Sequence, residues 1–510
     1  MFKFARVFLG LVFVFSLMGT AFAATFTVTK TADTNDGTCD SDCSLREAVA
    51  AANAAAGDDV IEFDPSVFGS AQTIVLSLGE IVITGEGLLT INGPGAHLLT
   101  LDGNNASRII SITFGRAVLN DMTFTRGNGV GALNSGRAGA IYNAGSTTVI
   151  NNCVITGNSA ANGGGLNNAA TGTPSVPGDL TINNSIVSNN TASGSGGGMQ
   201  NFSTSTVRIN NSTFVGNTSN GTTGGGGGQF NGAVLITNST FANNNAPSGS
   251  GGGLQSNGSA GTILTNVTIS GNNSANNGGG LHRATTNTNF WIRNSIIAGN
   301  NGGAVSPDVT NSAGGLNSAG HNIIGNTGTS TGWDATDFLN TDPMLGPLAD
   351  NGGFGMTFLP QAGSTAIDNG DNCVLDQSCS GNNPPIAVTA DQRGVSRPQN
   401  GTVDIGAVEV AGTTSSATVS GRVLSPQGRA VPRALVTISD GNGLVQTTVT
   451  NSFGNFTFTE IATGQTYSIT AISKPYDFTP QDVKVSGDVT GITITANAEN
   501  AGKTDPGIFK

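Results

Sequence analysis

The stretch VRINNSTFVGN at 207–217 is written six times in this chain with small changes. Its companions are TVINNCVITGN (148–158), LTINNSIVSNN (180–190), VLITNSTFANN (234–244), TILTNVTISGN (262–272) and FWIRNSIIAGN (290–300). Each carries an Asn six places before its last Asn: Asn152, Asn184, Asn211, Asn238, Asn266 and Asn294, which lie 32, 27, 27, 28 and 28 residues apart. A period of that size marks a solenoid.

Two and four places before the reference Asn stand apolar side chains, as in Leu180 and Ile182, Val207 and Ile209, or Phe290 and Ile292. That alternation is the signature of a strand with one buried face. One place after the Asn comes a small residue (Cys153, Ser185, Ser212, Ser239, Val267, Ser295), and three places after comes a bulky one (Ile155, Val187, Phe214, Phe241, Ile269, Ile297). Two short strands meeting at a corner fit this better than one straight strand. Between copies lie glycine runs followed by a mostly apolar residue, such as Gly196 to Gly198 before Met199 and Gly278 to Gly280 before Leu281; they are expected to form the third, tightest wall. Each copy is then one rung of a parallel β-helix, with like residues stacked roughly 4.8 Å apart. Roughly ten rungs would make a rod about 50 Å long. The 76 glycines supply positive φ at corners, and stacked Asn amides are expected to bond from rung to rung as ladders.

Net charge is −12 with only 10% charged residues, which makes nucleic acid and anionic membranes poor partners. The N-terminus reads as an export signal at 1–23: Lys3 and Arg6, an apolar run from Val7 to Met18, and the small-x-small site Ala21-Phe22-Ala23. No later stretch is apolar enough to span a bilayer as a helix, so the mature chain is expected to have no transmembrane helix and to be extracellular or on a bacterial cell surface, with outer-membrane association included. The cysteines agree with an oxidising compartment: Cys39 and Cys43, and Cys373 and Cys379, are close enough in sequence to close two local loops. Cys153 falls in the small inward column and is expected to be a buried, inert thiol.

Ser44 followed by Glu47 is a capping box, and Leu45, Ala48, Val49 and Ala52 make an apolar stripe at helical spacing, so a helix is expected there as a plug for the first rung. The phrase Cys43-Ser44-Leu45-Arg46-Glu47-Ala48 followed by Val60-Ile61-Glu62-Phe63 resembles the bacterial CSLREA domain, which heads secreted right-handed parallel β-helix proteins. Less regular rungs follow to about residue 125, and the clear repeats then look like those of pectate-lyase-like folds. Asp342-Pro343-Met344-Leu345-Gly346-Pro347, Asp391-Gln392-Arg393-Gly394 and Asp404-Ile405-Gly406-Ala407 resemble the choice-of-anchor Q module, which implies a cap that closes the β-helix at 338–410. After a polar linker at 411–418, six strand-like runs suggest a small β-sandwich. There Val419-Ser420-Gly421-Arg422-Val423, Pro432, Ala434 and Val436 resemble the carboxypeptidase regulatory-like domain, whose relatives have a carbohydrate-binding-like fold and decorate surface proteins. The expected architecture is thus all-β: export signal 1–23, N-terminal cap 24–59, right-handed parallel β-helix (solenoid) 60–337 with a capping helix, C-terminal cap 338–410, linker 411–418, β-sandwich 419–498 and tail 499–510.

Many parallel β-helices cleave polysaccharides, which takes two carboxylates flanking the scissile bond, or a calcium ion held by several acids with a basic group nearby. Between residues 103 and 307 the acids are Asp121 and Asp179 alone, and no lysine occurs from 31 to 473. The remaining acids cluster in the head and the C-terminal cap, where they read as turn formers. The glycine runs lack the Lys-Ser or Lys-Thr of a phosphate loop. His97, His282 and His321 are scattered, so no metal and no cofactor is expected. Aromatics for stacking on a sugar are Tyr142, Trp291 and Trp333; Trp291 is expected to point outward, with His282 and Arg283 beside it in the preceding corner, as a contact patch. The sequence favours a non-enzymatic rod for display or adhesion, with extracellular glycans or the cell envelope as partners, over a polysaccharide lyase or glycoside hydrolase.

Overall fold

The computed structural model describes residues 23–497 except 259, 286–288, 304–307, 313, 315, 381–383, 385, 411–415, 441–444, 464 and 475. Of the expected export signal only Ala23 falls among them, and the tail 499–510 and most of the linker fall outside. The chain divides between Val410 and Ala411 into two compact units.

The first unit is a parallel β-helix. In the turn built from 206–230, strand Thr206–Asn210 points Val207 and Ile209 inward, both fully buried. Asn211 then breaks the strand in the left-handed region; the six reference Asn residues all do so, at φ between 45° and 53°. Asn tolerates this region because its short amide bonds locally. Strand Thr213–Val215 follows, pointing Phe214 inward onto Phe241 of the next turn, ring on ring at 4.8 Å. In-register parallel pairing repeats these positions up the coil, Val207 on Val234 and Phe214 on Phe241. Among the described residues the first and second walls have eleven strands each and the third has nine. The nine strands of the third wall count nine complete turns, one fewer than the spacing suggested.

Two expectations need correction here. The glycine runs are not the third wall but the bend into it: Gly163, Gly196, Gly225, Gly251 and Gly278 take φ of 58° to 75°, and the wall is the strand that follows, such as Met199–Asn201 or Leu281–Arg283. Turns approach so closely at the bend that a Cβ on Gly253 would lie 2.6 Å from the Gly280 carbonyl oxygen. A fourth, five-stranded sheet of two-residue strands such as Thr218–Ser219 also stands between the second and third walls.

Amide ladders run through the regular repeats of the coil. The innermost joins Asn158, Asn190, Asn217, Asn244, Asn272 and Asn300, each Nδ2 donating to the next Oδ1 at 2.8–3.0 Å. It ends on Asp308, whose Oδ1 accepts from both the backbone N–H and the side-chain amide of Asn300 at 2.8 Å. A hydroxyl column runs beside it: the backbone N–H of Ser185 donates to Ser212 Oγ, and that of Ser212 to Ser239 Oγ. Cys153 occupies the same column, its Sγ donating to the Asn151 carbonyl as Ser185 Oγ does to that of Asn183. Burial pushes the Cys153 thiol up to about 12. A thiol reagent at pH 8 should therefore leave Cys153 unlabelled in the native protein and label it in denaturant, and Cys153→Ser should change stability by less than about 1 kcal/mol. Native labelling at the denatured rate would show that the column is not closed. The other cysteines form the disulfides Cys39–Cys43 and Cys373–Cys379.

Stacking begins before residue 60: strand Thr25–Val28 already pairs with Asp59–Phe63. Between them, helix Leu45–Ala54 has its capping box in place, with Ser44 Oγ accepting from Glu47 N–H at 3.1 Å and Glu47 Oε2 from Ser44 N–H at 2.7 Å. Its Leu45, Ala48, Val49 and Ala52 join the core of the coil. At the other end, Trp333 packs against that same core.

The segment expected to close the coil does otherwise. Strand Phe338–Leu339 still stacks on the second wall, but the described residues of 342–410 then form a strap against the coil's side, meeting Thr213 at Met356, Asn294 at Asp371 and Thr213 again at Gln392. Asn238, Asn266 and Asn294 of three successive turns donate their Nδ2 to strap carbonyls, those of Ala390, Asp404 and Asp371. Gln392 bridges Thr213 and Thr240, at 2.8 and 2.6 Å. Apart from the 3-10 helix Asn372–Leu375 and a few isolated bridges the strap has little regular structure, and the unspent donors of the corners give its carbonyls partners. It holds a buried charge cluster: Arg397 and Glu409, both side chains fully buried, pair at 2.8 Å, and Asp391, Arg393 and Asp404 join them.

The second unit packs a three-stranded sheet (Asn455–Ala462, Ser416–Leu424, Val489–Thr495) against a four-stranded one (Val445–Val449, Leu435–Ser439, Gln465–Ile472, Gln481–Val485). Val419, Val423, Phe456 and Ile494 of the first sheet share a core with Val436, Ile438, Tyr467 and Val485 of the second. The strand Gln481–Val485 was not foreseen, because its alternation rests on Val483 and Val485 alone.

Candidate functional site

The sequence-predicted contact residues do not form one patch. Tyr142 is fully buried, its hydroxyl accepting from Asn134 Nδ2 at 2.7 Å and the Arg108 guanidinium lying 4.7 Å from its ring. His282 and Arg283 are not in a corner beside Trp291: they lie in strand Leu281–Arg283 of the third wall, and both are buried. Burial pushes His282 down to about 4, so it is neutral at physiological pH. Trp333 serves the end of the core. The correction has one physical source: the glycine bend is shorter than expected, so the residues after it are strand and their side chains stack.

That stacking does connect two of the candidates. The outward residues of the third wall form a row from Tyr142 through Asn167, Gln200, Gln229 and Gln255 to His282. Amide bonds link Asn167 to Gln200 at 3.1 Å and Gln200 to Gln229 at 2.8 Å, and His282 Nε2 lies 2.8 Å from Ser312 Oγ. The row is buried, so it cements turns rather than meeting solvent.

Trp291 stands elsewhere, half-buried on the outer face of the first wall. That face carries two long rows. One is an amide row, Asn92, Asn120, Asn151, Asn183 and Asn210, bonded Nδ2 to Oδ1 at 2.8–2.9 Å and half-buried. Each inner member spends one N–H and one lone pair on its neighbours and keeps the others for solvent. The second row reads Val149, Thr181, Arg208, Leu235, Ile263 and Trp291. Where its flank narrows to Ala233 and Gly261, a hollow of about 220 Å³ opens over Leu235 and Ile263, with Asn289 on its rim. Arg208 on the preceding turn pairs with Asp179, and Trp291 is on the turn after Ile263.

The two acids of the repeats are both engaged and lie apart: Asp179 with Arg208, and Asp121 in a corner, accepting from Asn152 Nδ2 at 3.1 Å. Among the described residues no three of His, Cys, Asp and Glu are grouped so as to hold a metal ion, and no helix is long and apolar enough to cross a membrane. Asp334, and Asp342, Asp350 and Asp376 of the strap, each accept from the backbone N–H two residues on, which is the turn-forming role read from sequence.

The second unit offers a different surface, the outer face of its three-stranded sheet around Gly421, with the four-stranded sheet behind it. Residues 418–497 match the carboxypeptidase regulatory-like domain family. The match covers most of the second unit and none of the β-helix. A search of curated proteins finds no match to the chain.

Proposed function

We propose that this chain is an exported, non-enzymatic cell-surface rod that holds extracellular polysaccharide along the outer face of its first wall. The resemblances to CSLREA and choice-of-anchor Q proteins, the signal-like N-terminus and the regulatory-like domain support export and display. The observation that carries the binding reading is the pair of parallel rows on that face. Half-buried amides recur on successive turns from Asn92 to Asn210, roughly 4.8 Å apart, and on the turns that follow the adjoining row opens into an apolar hollow next to the half-buried Trp291. A glycan presents the matching features, hydroxyls at regular spacing and apolar C–H faces that lie on aromatic rings.

Retention of neutral and uronic-acid polysaccharides by the purified full chain tests this, with reducing ends and unsaturated products measured in parallel, with and without calcium. The expected result is retention without cleavage, with Trp291→Ala weakening it about tenfold, as the loss of one stacking contact implies. New chain ends would overturn the non-enzymatic reading. Retention unchanged by Trp291→Ala and by Asn151→Ala/Asn183→Ala would remove the first wall from it.

A further inference from the structure

The outer face of the three-stranded sheet in the regulatory-like domain holds a hollow of about 460 Å³. Two features of the backbone make it. Strand Val489–Thr495 bulges against Ser416–Leu424, so that Val419 pairs with Val489 but Gly421 with Ile492, and the extra residue is accommodated at Gly491 with φ 80°. On the inner side, a Cβ on Gly421 would run into the Ile492 carbonyl and the Phe456 ring, so the sheet is thinned there and its apolar filling faces inward.

What faces outward is polar. Ser420 and Arg422 of the central strand stand between Asn455 and Thr457 on one side and Thr493 on the other, Arg422 being paired in register with both Asn455 and Thr493. Arg422 is the one charged residue among the nine that line the hollow. Its Nε donates to the Phe453 carbonyl at 2.7 Å, which fixes the plane of the guanidinium, and its two terminal nitrogens are bonded to nothing among the described residues. A fixed guanidinium fork with free terminal donors matches a carboxylate in bidentate fashion. The surrounding hydroxyls and amide match a ring of hydroxyl groups. Residues 411–510 hold seven Lys and Arg against seven Asp and Glu, so Arg422 does not belong to a general basic surface.

We propose that this hollow is a binding site for a carboxylated sugar, the carboxylate on Arg422 and the sugar hydroxyls on Ser420, Asn455, Thr457 and Thr493. The site is separate from the first wall, and each assignment can fail while the other stands.

The test is titration of the full chain with a galacturonic-acid trimer, and with a neutral trimer of the same length, followed by calorimetry. The trimer is expected to bind with millimolar or tighter affinity. Arg422→Gln should weaken it roughly tenfold or more, which is the size of one charge-assisted contact, and leave the neutral sugar unchanged. A Cβ at Gly491 meets nothing within 4 Å, and Asn is among the side chains that best tolerate positive φ, so Gly491→Asn fills the mouth of the hollow at a modest backbone strain and should weaken the trimer similarly. Trp291→Ala should leave this binding intact. Absence of trimer binding, or trimer binding that survives both Arg422→Gln and Gly491→Asn, overturns the proposal. Acetate or inorganic sulfate competing as well as the trimer would show that Arg422 reads charge alone, and overturns the sugar assignment.

Discussion

Arg397→Met is expected to release the strap from the side of the β-helix at a cost of about 3–5 kcal/mol. The guanidinium donates to Glu409 Oε2 at 2.8 Å and to the carbonyls of Asp404 and Gly406 at 2.9 and 2.8 Å, and neither side chain of the pair is exposed. Without it, the Glu409 carboxylate is left in the interior with backbone donors alone, those of Gln399 and Asp404. Limited proteolysis should then cut within 342–410 while the turns before Ile186 stay protected. Arg397→Met with Glu409→Leu should recover part of the loss, because the stranded charge is gone although those two backbone donors remain unpaired. Equal protection of wild type and Arg397→Met would mean that the strap is held by its amide contacts alone. The cluster also sets a pH dependence. Two arginines face three acids, and burial pushes Asp404 from 3.8 up to about 7. A carboxyl raised in the folded state binds its proton there and releases it on unfolding, so strap stability falls as pH rises from about 4 to about 7 and is flat above. Protease resistance of the strap should be greater at pH 5 than at pH 8; the reverse order would contradict a protonated Asp404.

Asn217→Ala should cost about 4 kcal/mol, whereas Asn183→Ala, in the outer row, should cost less than about 1 kcal/mol. Asn217 is fully buried and makes four bonds: its Oδ1 accepts from the backbone N–H and Nδ2 of Asn190, and its Nδ2 donates to Val187 O and Asn244 Oδ1. Truncation leaves a buried N–H and a buried carbonyl without partners. Asn183 can replace its lost bonds with water. Hydrogen exchange of peptides covering 187–244 should accelerate by roughly a thousandfold in Asn217→Ala, the equivalent of that free energy. Similar losses in the two variants would mean that the ladder bonds themselves, and not their burial, decide the ladder's worth.

The walls of the coil were legible because they repeat. Val207 and Ile209 could be read as inward strand residues from one copy, but it took six to separate a column from an accident. The corner Asn residues were equally legible, since few side chains accept positive φ. Ladder direction and burial were not: Asn183 and Asn217 look alike in sequence, and only the fold turns one to solvent and the other to the core. His282 and Arg283 were misread for a related reason, since a glycine run does not announce where its bend stops. The strap was beyond pattern altogether. Its partners Thr213, Asn238 and Asn266 lie 138 to 179 residues away from it, and nothing in a local period encodes so distant a contact. The hollow of the second unit depends on a bulge at Gly491, which one glycine among 76 does not reveal.

A solenoid couples each turn to its neighbours alone, so a load applied along it would peel the turns off singly. The lateral strap changes this for the turns from Thr213 to Asn294, which it ties to one another like the spine of a book. Under tension those turns yield together or not at all, and the pages before them come away one by one.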